Sequence, residues 1–198
     1  MTKIKICGIR RLKDIEYLNE LLPDYAGFVF ASSKRQVDKE YAYDLIKNLR
    51  ESIQKVGVFV DERPEVVLEI AEKLKLQILQ FHGHENQEYI NKFNGYEIWK
   101  ALKISNVDSI SKLTSYKCSK FLLDNTTSGS GESFDWNLAQ KKVDGQNIML
   151  AGGLNSENVQ QGIKRLKPYG VDVSSGVEID GFKDYNKIKE FIKKVREL

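Results

Sequence analysis

The sequence predicts an α/β protein, a single compact (β/α)8 TIM barrel. Three observations carry this. Short apolar runs alternate with longer amphipathic segments along the whole chain. The runs number eight, the count that closes a parallel barrel. No Gly-rich dinucleotide fingerprint follows the first run, which argues against an open doubly wound sheet.

The elements follow in order. The expected strands are 3–7 (KIKIC), 26–30 (AGFVF), 55–60 (KVGVFV), 77–82 (QILQFH), 97–104 (EIWKALKI), 120–125 (KFLLDN), 147–152 (NIMLAG) and 171–174 (VDVS). Each is rich in Val, Ile, Leu or Phe, as a strand buried on both faces must be. Between them, apolar residues recur three and four apart: Leu45, Ile46 and Leu49; Val66, Val67, Ile70, Ala71 and Leu74; Ile188, Phe191, Ile192 and Val195. These are helices with one buried stripe. The weakest helix is after the sixth strand, over 134–142. Barrels of this type typically run to about 250 residues, so a chain of 198 needs short loops and reduced helices.

Composition bounds the class. At 198 residues one domain, 1–198, is expected, and a core forms without disulfides or metals. Lys and Arg total 31 against 28 Asp and Glu, a net +3 spread along the chain, which does not mark a nucleic-acid binder. The basic run 187–196 is read as a solvated helix face, and Tyr41 and Tyr43 as scattered surface aromatics. The longest apolar runs fall far short of the roughly 18 residues a membrane span needs. MTKIKICGIR has no secretory apolar stretch. A cytoplasmic protein without membrane or nucleic-acid partners is expected. Two Cys and two His leave little for a metal centre.

In a parallel barrel the strand C-terminal ends build the active site, which works as a positional filter. Cys7 ends the first strand. A lone cysteine is ordinarily a small buried hydrophobe, but a thiolate at a strand end suits a general base or nucleophile. Strand alternation puts Lys5 on the same face, where its ammonium would lower the thiol pKa. Asp124 ends FLLD; an Asp there ordinarily opens a turn, yet after so apolar a strand its acid form is favoured. The stretches 150–154 (LAGGL) and 173–178 (VSSGVE) follow strands seven and eight, where such barrels often bind phosphate. Gly152, Gly153 and Gly176 let an anion approach the backbone, and Ser174 and Ser175 add hydroxyls. A short helix over 176–181 would complete that site. Arg35 offers a planar fork for a carboxylate. His82 at a strand end is placed to contact a ligand, His84 is read as a solvated loop residue, and Cys118 as structural. The small-residue stretch 126–131 (TTSGSG) is read as an active-face loop.

Taken together the motifs resemble one family nearly end to end: phosphoribosylanthranilate isomerase of tryptophan biosynthesis. They are KICGIR (5–10), GFVF then S-x-R (27–35), VGVFV (56–60), LQFHGHE (79–85), FLLD (121–124), GSGESFDW (129–136), LAGGLNSENV (150–159), VDVSSGVE (171–178) and G-x-K-D (181–184). The resemblance implies a compact (β/α)8 barrel of about this length. It also implies an Amadori rearrangement of N-(5-phosphoribosyl)anthranilate to 1-(2-carboxyphenylamino)-1-deoxyribulose 5-phosphate. Family motifs place the general base on Cys7, the general acid on Asp124 and the anthranilate contact on Arg35. They place the phosphate contacts on Gly152, Gly153, Ser174, Ser175 and Gly176, and make His82 and Asp172 cavity residues. No cofactor or metal is implied. A monomer or homodimer acting on a phosphorylated small molecule is expected. The chain departs from the pattern at Lys34, where a Pro is usual, and at 128–131 (SGSG), where GGTG is usual. Two other readings share the fold: a histidine-pathway sugar isomerase, which resembles a twofold-repeated barrel with an Asp at the base position, and a catalytically silent phosphate-ligand barrel.

Overall fold

Eight parallel strands close on themselves in sequence order, β8 pairing back to β1. The computed structural model describes residues 1–125, 136 and 147–198. The strands are β1 Lys3–Cys7, β2 Tyr25–Val29, β3 Gln54–Phe59, β4 Ile78–Phe81, β5 Glu97–Ile104, β6 Lys120–Asn125, β7 Ile148–Leu150 and β8 Gly170–Val173. Closure sets Lys5 opposite Asp172 and Cys7 opposite Gly27.

Alternation divides the side chains between two cores. Inside the barrel lie Tyr25, Val56, Ile78, Trp99, Ala101, Leu122, Met149 and Ala151. The opposite face of each strand packs on the helices through a larger core that includes Ile4, Ile6, Phe28, Phe59, Phe81, Leu123, Leu150 and Val171.

The helices follow the apolar spacing. They are α1 Leu12–Leu21, α2 Lys39–Ile46, α3 Pro64–Leu74, α4 Gln87–Ile90, α5 Val107–Ser111, α6 Val159–Leu166 and α7 Tyr185–Arg196. Pro64 opens α3, where its missing N–H costs nothing. Asp38, Asn86 and Asp184 cap α2, α4 and α7 by accepting the N–H of Tyr41, Tyr89 and Lys187. In α7, Ile188, Phe191, Ile192 and Val195 form the buried stripe. Helices α4 and α5 have 4 and 5 residues, which is how a short chain completes eight repeats. The expected helix 134–142 and the loop 126–131 lie outside the described residues, apart from Trp136, which is buried.

One expectation is corrected. Of residues 176–181 only Gly176 and Val177 are helical, in one short 3-10 helix, and the expected helix goes no further. A 3-10 turn covers Ser175–Val177, and β9 Glu178–Ile179 then pairs antiparallel with β10 Phe182–Lys183. Asp180 and Gly181 link them with φ of 50° and 78°. Two successive positive φ angles over Asp-Gly are those of a tight hairpin turn, which no helix accommodates.

Candidate active site

At the C-terminal ends of the strands lies a cavity of ≈ 380 Å³. Its walls include Cys7, Arg35, His82, Asp124, Gly152, Gly153, Asp172, Ser174 and Ser175, brought together from six strand ends. Gly176 is not part of the wall. It packs behind it, where a Cβ would stand 1.9 Å from the Leu154 carbonyl oxygen, so it lets the loop after β8 lie on the loop after β7.

The thiol side is built by β1, β2 and β8. Lys5 is fully buried, and its ammonium donates to Asp172 Oδ1 at 3.0 Å. Burial alone would lower the Lys5 pKa, but the Asp172 carboxylate and Cys7 outweigh it and hold it above its ordinary value. Cys7 runs opposite to expectation: burial pushes its thiol up, the Lys5 ammonium pulls it down, the Asp172 carboxylate adds to the rise, and the net shift is upward. Space for the sulfur comes from Gly27. A Cβ there would lie 2.8 Å from Cys7 Sγ and 3.1 Å from Lys5 Cε.

The carboxyl side is built by β4 and β6. Asp124 Oδ2 lies 3.1 Å from His82 Nε2, and His82 Nδ1 lies 3.3 Å from the Gln80 amide nitrogen. The loop carrying His82 is fastened from outside the barrel. Lys100 on β5 and Glu85 form a fully buried ion pair at 2.8 Å. Glu85 also accepts the N–H of Asp61 and of Gly83, and Lys100 donates to the Gly83 carbonyl. Every charge in this clamp is thus hydrogen-bonded, the condition under which a buried pair is tolerated. His84 is 97% exposed and pairs with Asp61. Among the described residues no cluster of three His, Cys, Asp or Glu side chains is placed to hold a metal ion.

A cationic rim completes the site. Arg35 makes a fork with Glu178 at 2.8 and 2.7 Å, and Lys183 of β10 donates to the same carboxylate at 2.6 Å. Burial would raise the Glu178 pKa, but Arg35 and Lys183 bring it below its ordinary value. Burial lowers the Lys183 pKa despite Glu178. Lys183 also donates to the Ser174 carbonyl and hydroxyl, and that hydroxyl donates to the Cys7 carbonyl. The β9–β10 hairpin thereby braces the strand end that carries the thiol. Gly152 and Gly153 have φ of 77° and 66°, a turn open to the cavity that side chains with a Cβ rarely adopt.

Sequence reasoning missed Gln80, Lys103, Glu178 and Lys183 as site residues. Gln80 and Lys103 carry a legible signal: each lies on the inward parity of its strand, near the C-terminal end, and both line the cavity. Lys183 and Glu178 depend on the hairpin, and Asp180-Gly181 is the strongest short-range signal for one.

Fold and cavity define a (β/α)8 barrel with a buried thiol and a carboxyl group across one pocket, the layout of an acid/base enzyme. The family model described as N-(5'-phosphoribosyl)anthranilate (PRA) isomerase matches residues 4–194, and the chain belongs to that family. The N-(5'-phosphoribosyl)anthranilate isomerase of Caldanaerobacter subterraneus subsp. tengcongensis is 52% identical over 200 residues, covering 99% of this chain and 98% of the relative. Monomers of the dimeric enzyme from Thermotoga maritima superpose with a TM-score of 0.89 at 38% identity, covering 100% of both chains. A phosphoribosyl anthranilate isomerase in complex with reduced 1-(o-carboxyphenylamino)-1-deoxyribulose 5-phosphate gives 0.89 at 37% identity, again over 100% of both.

Proposed function

We propose that the chain, as one catalytic domain, converts N-(5-phosphoribosyl)anthranilate to 1-(2-carboxyphenylamino)-1-deoxyribulose 5-phosphate. The observation that carries this reading is a single cavity holding Cys7 and Asp124 beside a glycine-serine rim and a cationic rim. Asp124 gives its proton to the furanose ring oxygen. The bond from C1 to that oxygen breaks, and C1 becomes a Schiff base with the anilino nitrogen. The Cys7 thiolate takes the proton from C2, and the electron pair moves into the C1–N iminium to give an enolamine. The Cys7 thiol then returns its proton to C1 and the C2 hydroxyl gives its proton to the Asp124 carboxylate, which leaves the ketone and restores both groups. No atom or electron is gained or lost overall, and the iminium is the electron sink. Lys5 supplies the positive charge that favours the thiolate. The turn at Gly152–Gly153, with Ser174 and Ser175, receives the phosphate. Arg35, held by Glu178, meets the anthranilate carboxylate. The reading carries a cytoplasmic enzyme, monomer or homodimer, whose partner is its small phosphorylated substrate.

The test offers the protein phosphoribosylanthranilate and, separately, the bis-phosphorylated aminoimidazole substrate of histidine synthesis. Turnover of the first alone is expected. Turnover of the second alone assigns the histidine-pathway reaction, and binding without turnover of either assigns a silent barrel.

Two variants probe the supporting groups. Arg35→Ala should raise KM about tenfold or more with a smaller change in kcat, since a charge-assisted hydrogen bond contributes roughly 1.5–3 kcal/mol. An unchanged KM counts against the carboxylate contact. Lys5→Met removes the ammonium that pulls the Cys7 thiol down. The base works as thiolate, so kcat/KM rises with pH as the thiol ionises. In Lys5→Met that rising limb should move to higher pH by about one unit or more. A limb that stays put or moves down contradicts the role given to Lys5.

A further inference from the structure

Gln80 sits on the inner face of β4 with 1% of its surface exposed, two residues before His82 and on the same side of the strand. Its amide nitrogen faces His82 Nδ1, whose ring reaches Asp124 through Nε2. Its Oε1 is buried with no hydrogen-bond partner among the described residues. A buried acceptor left unmet is costly, and a methionine of similar length would avoid that cost. What the amide does here is therefore done by its nitrogen.

A neutral imidazole has one donor and one acceptor nitrogen. If the Gln80 amide were reversed, its oxygen would require Nδ1–H, and a bare Nε2 would accept the acid proton of Asp124, tying that proton to the ring instead of leaving it for the substrate. With the amide nitrogen toward the ring, Nδ1 accepts and Nε2–H donates to Oδ2. We propose that Gln80 is a positioning residue for the acid, its amide N–H fixing His82 in the tautomer that presents Nε2–H to Asp124. With Nε2 acting as donor, the ring takes no proton from the carboxylic acid, which keeps it for the substrate. Once the proton has passed to the substrate's ring oxygen, the carboxylate left behind already has a donor in place. This step rests on the reading of Asp124 as the acid.

The chain has two histidines, 82 and 84, so the ring-nitrogen spectrum of ¹⁵N-histidine-labelled protein holds two spin systems. Two-bond ¹H–¹⁵N correlations distinguish the tautomers. The wild type should show His82 as the Nε2–H form. Gln80→Met should give a mixture, and Gln80→Glu should put a proton on Nδ1, because a carboxylate accepts where the amide donates. Gln80→Met should also lower kcat about tenfold with KM little changed, a fraction of the 10²–10⁴ typical of a complete acid or base. An Nδ1–H tautomer in the wild type overturns the proposal without any variant, and so does a Gln80→Met protein with tautomer and kcat unchanged. A wild-type rate in Asp124→Asn overturns the acid assignment instead. The His82 tautomer then still decides whether Gln80 sets the ring.

Discussion

Cys7→Ser leaves the barrel folded and lowers kcat by about 10²–10⁴-fold, the range for loss of a general base. The change removes no packing of consequence, because serine is close to cysteine in size and Gly27 already clears the space around the sulfur. What it removes is a group that can become an anion beside Lys5. A hydroxyl is far less acidic than a thiol, so the ammonium that stabilises a thiolate cannot generate an alkoxide at useful concentration. Far-UV circular dichroism and the thermal midpoint should match the wild type, while single-turnover rates fall. A rate within a few-fold of wild type would show that another group takes the C2 proton.

Asp124→Asn should lower kcat by a similar factor, again about 10²–10⁴-fold, with KM changing much less. The amide keeps the volume and can still face His82, but it has no proton to give the ring oxygen. The loss should be greatest in ring opening, so a substrate analogue already in the open-chain form should be processed with a smaller defect. If the open-chain analogue shows the full defect, Asp124 does not act in ring opening. The same variant separates catalysis from binding: a large rise in KM with kcat intact would make Asp124 a binding group.

The barrel and its active face were legible because strand alternation and strand ends are local properties. The expected bounds of β1, β5 and β6 coincide with those observed, and the others differ by one or two residues at their ends. Cys7, His82 and Asp124 stand out by their position at strand ends alone, and all three line the cavity. The partnerships were not legible, because barrel closure creates them. Lys5 and Asp172 stand 167 residues apart in sequence and meet across the β1–β8 seam. Arg35 and Glu178 are 143 apart and meet through the hairpin. The direction of the Cys7 shift failed for a related reason: the ammonium was readable from spacing in β1, but the depth of burial that outweighs it was not. The hairpin stands where a helix is expected by analogy with phosphate-binding barrels, and Asp180-Gly181 is its signal in the sequence.

Arg35 shows how this matters for function. Alone in a loop it reads as a free cation for a carboxylate. In the structure its guanidinium is held by Glu178, which Lys183 holds in turn. An arginine fixed this way loses less conformational freedom on meeting a second carboxylate, at the expense of sharing its charge.

The most direct test of the central claim is a fluorescence assay. Phosphoribosylanthranilate is generated in place from anthranilate and phosphoribosyl pyrophosphate by the transferase that joins them, and loss of its emission is followed on adding this protein, with Cys7→Ser alongside. The account predicts rapid loss with the wild type and almost none with the variant. Equal loss with both would remove Cys7 as the base, and no loss with the wild type would contradict the assigned reaction itself.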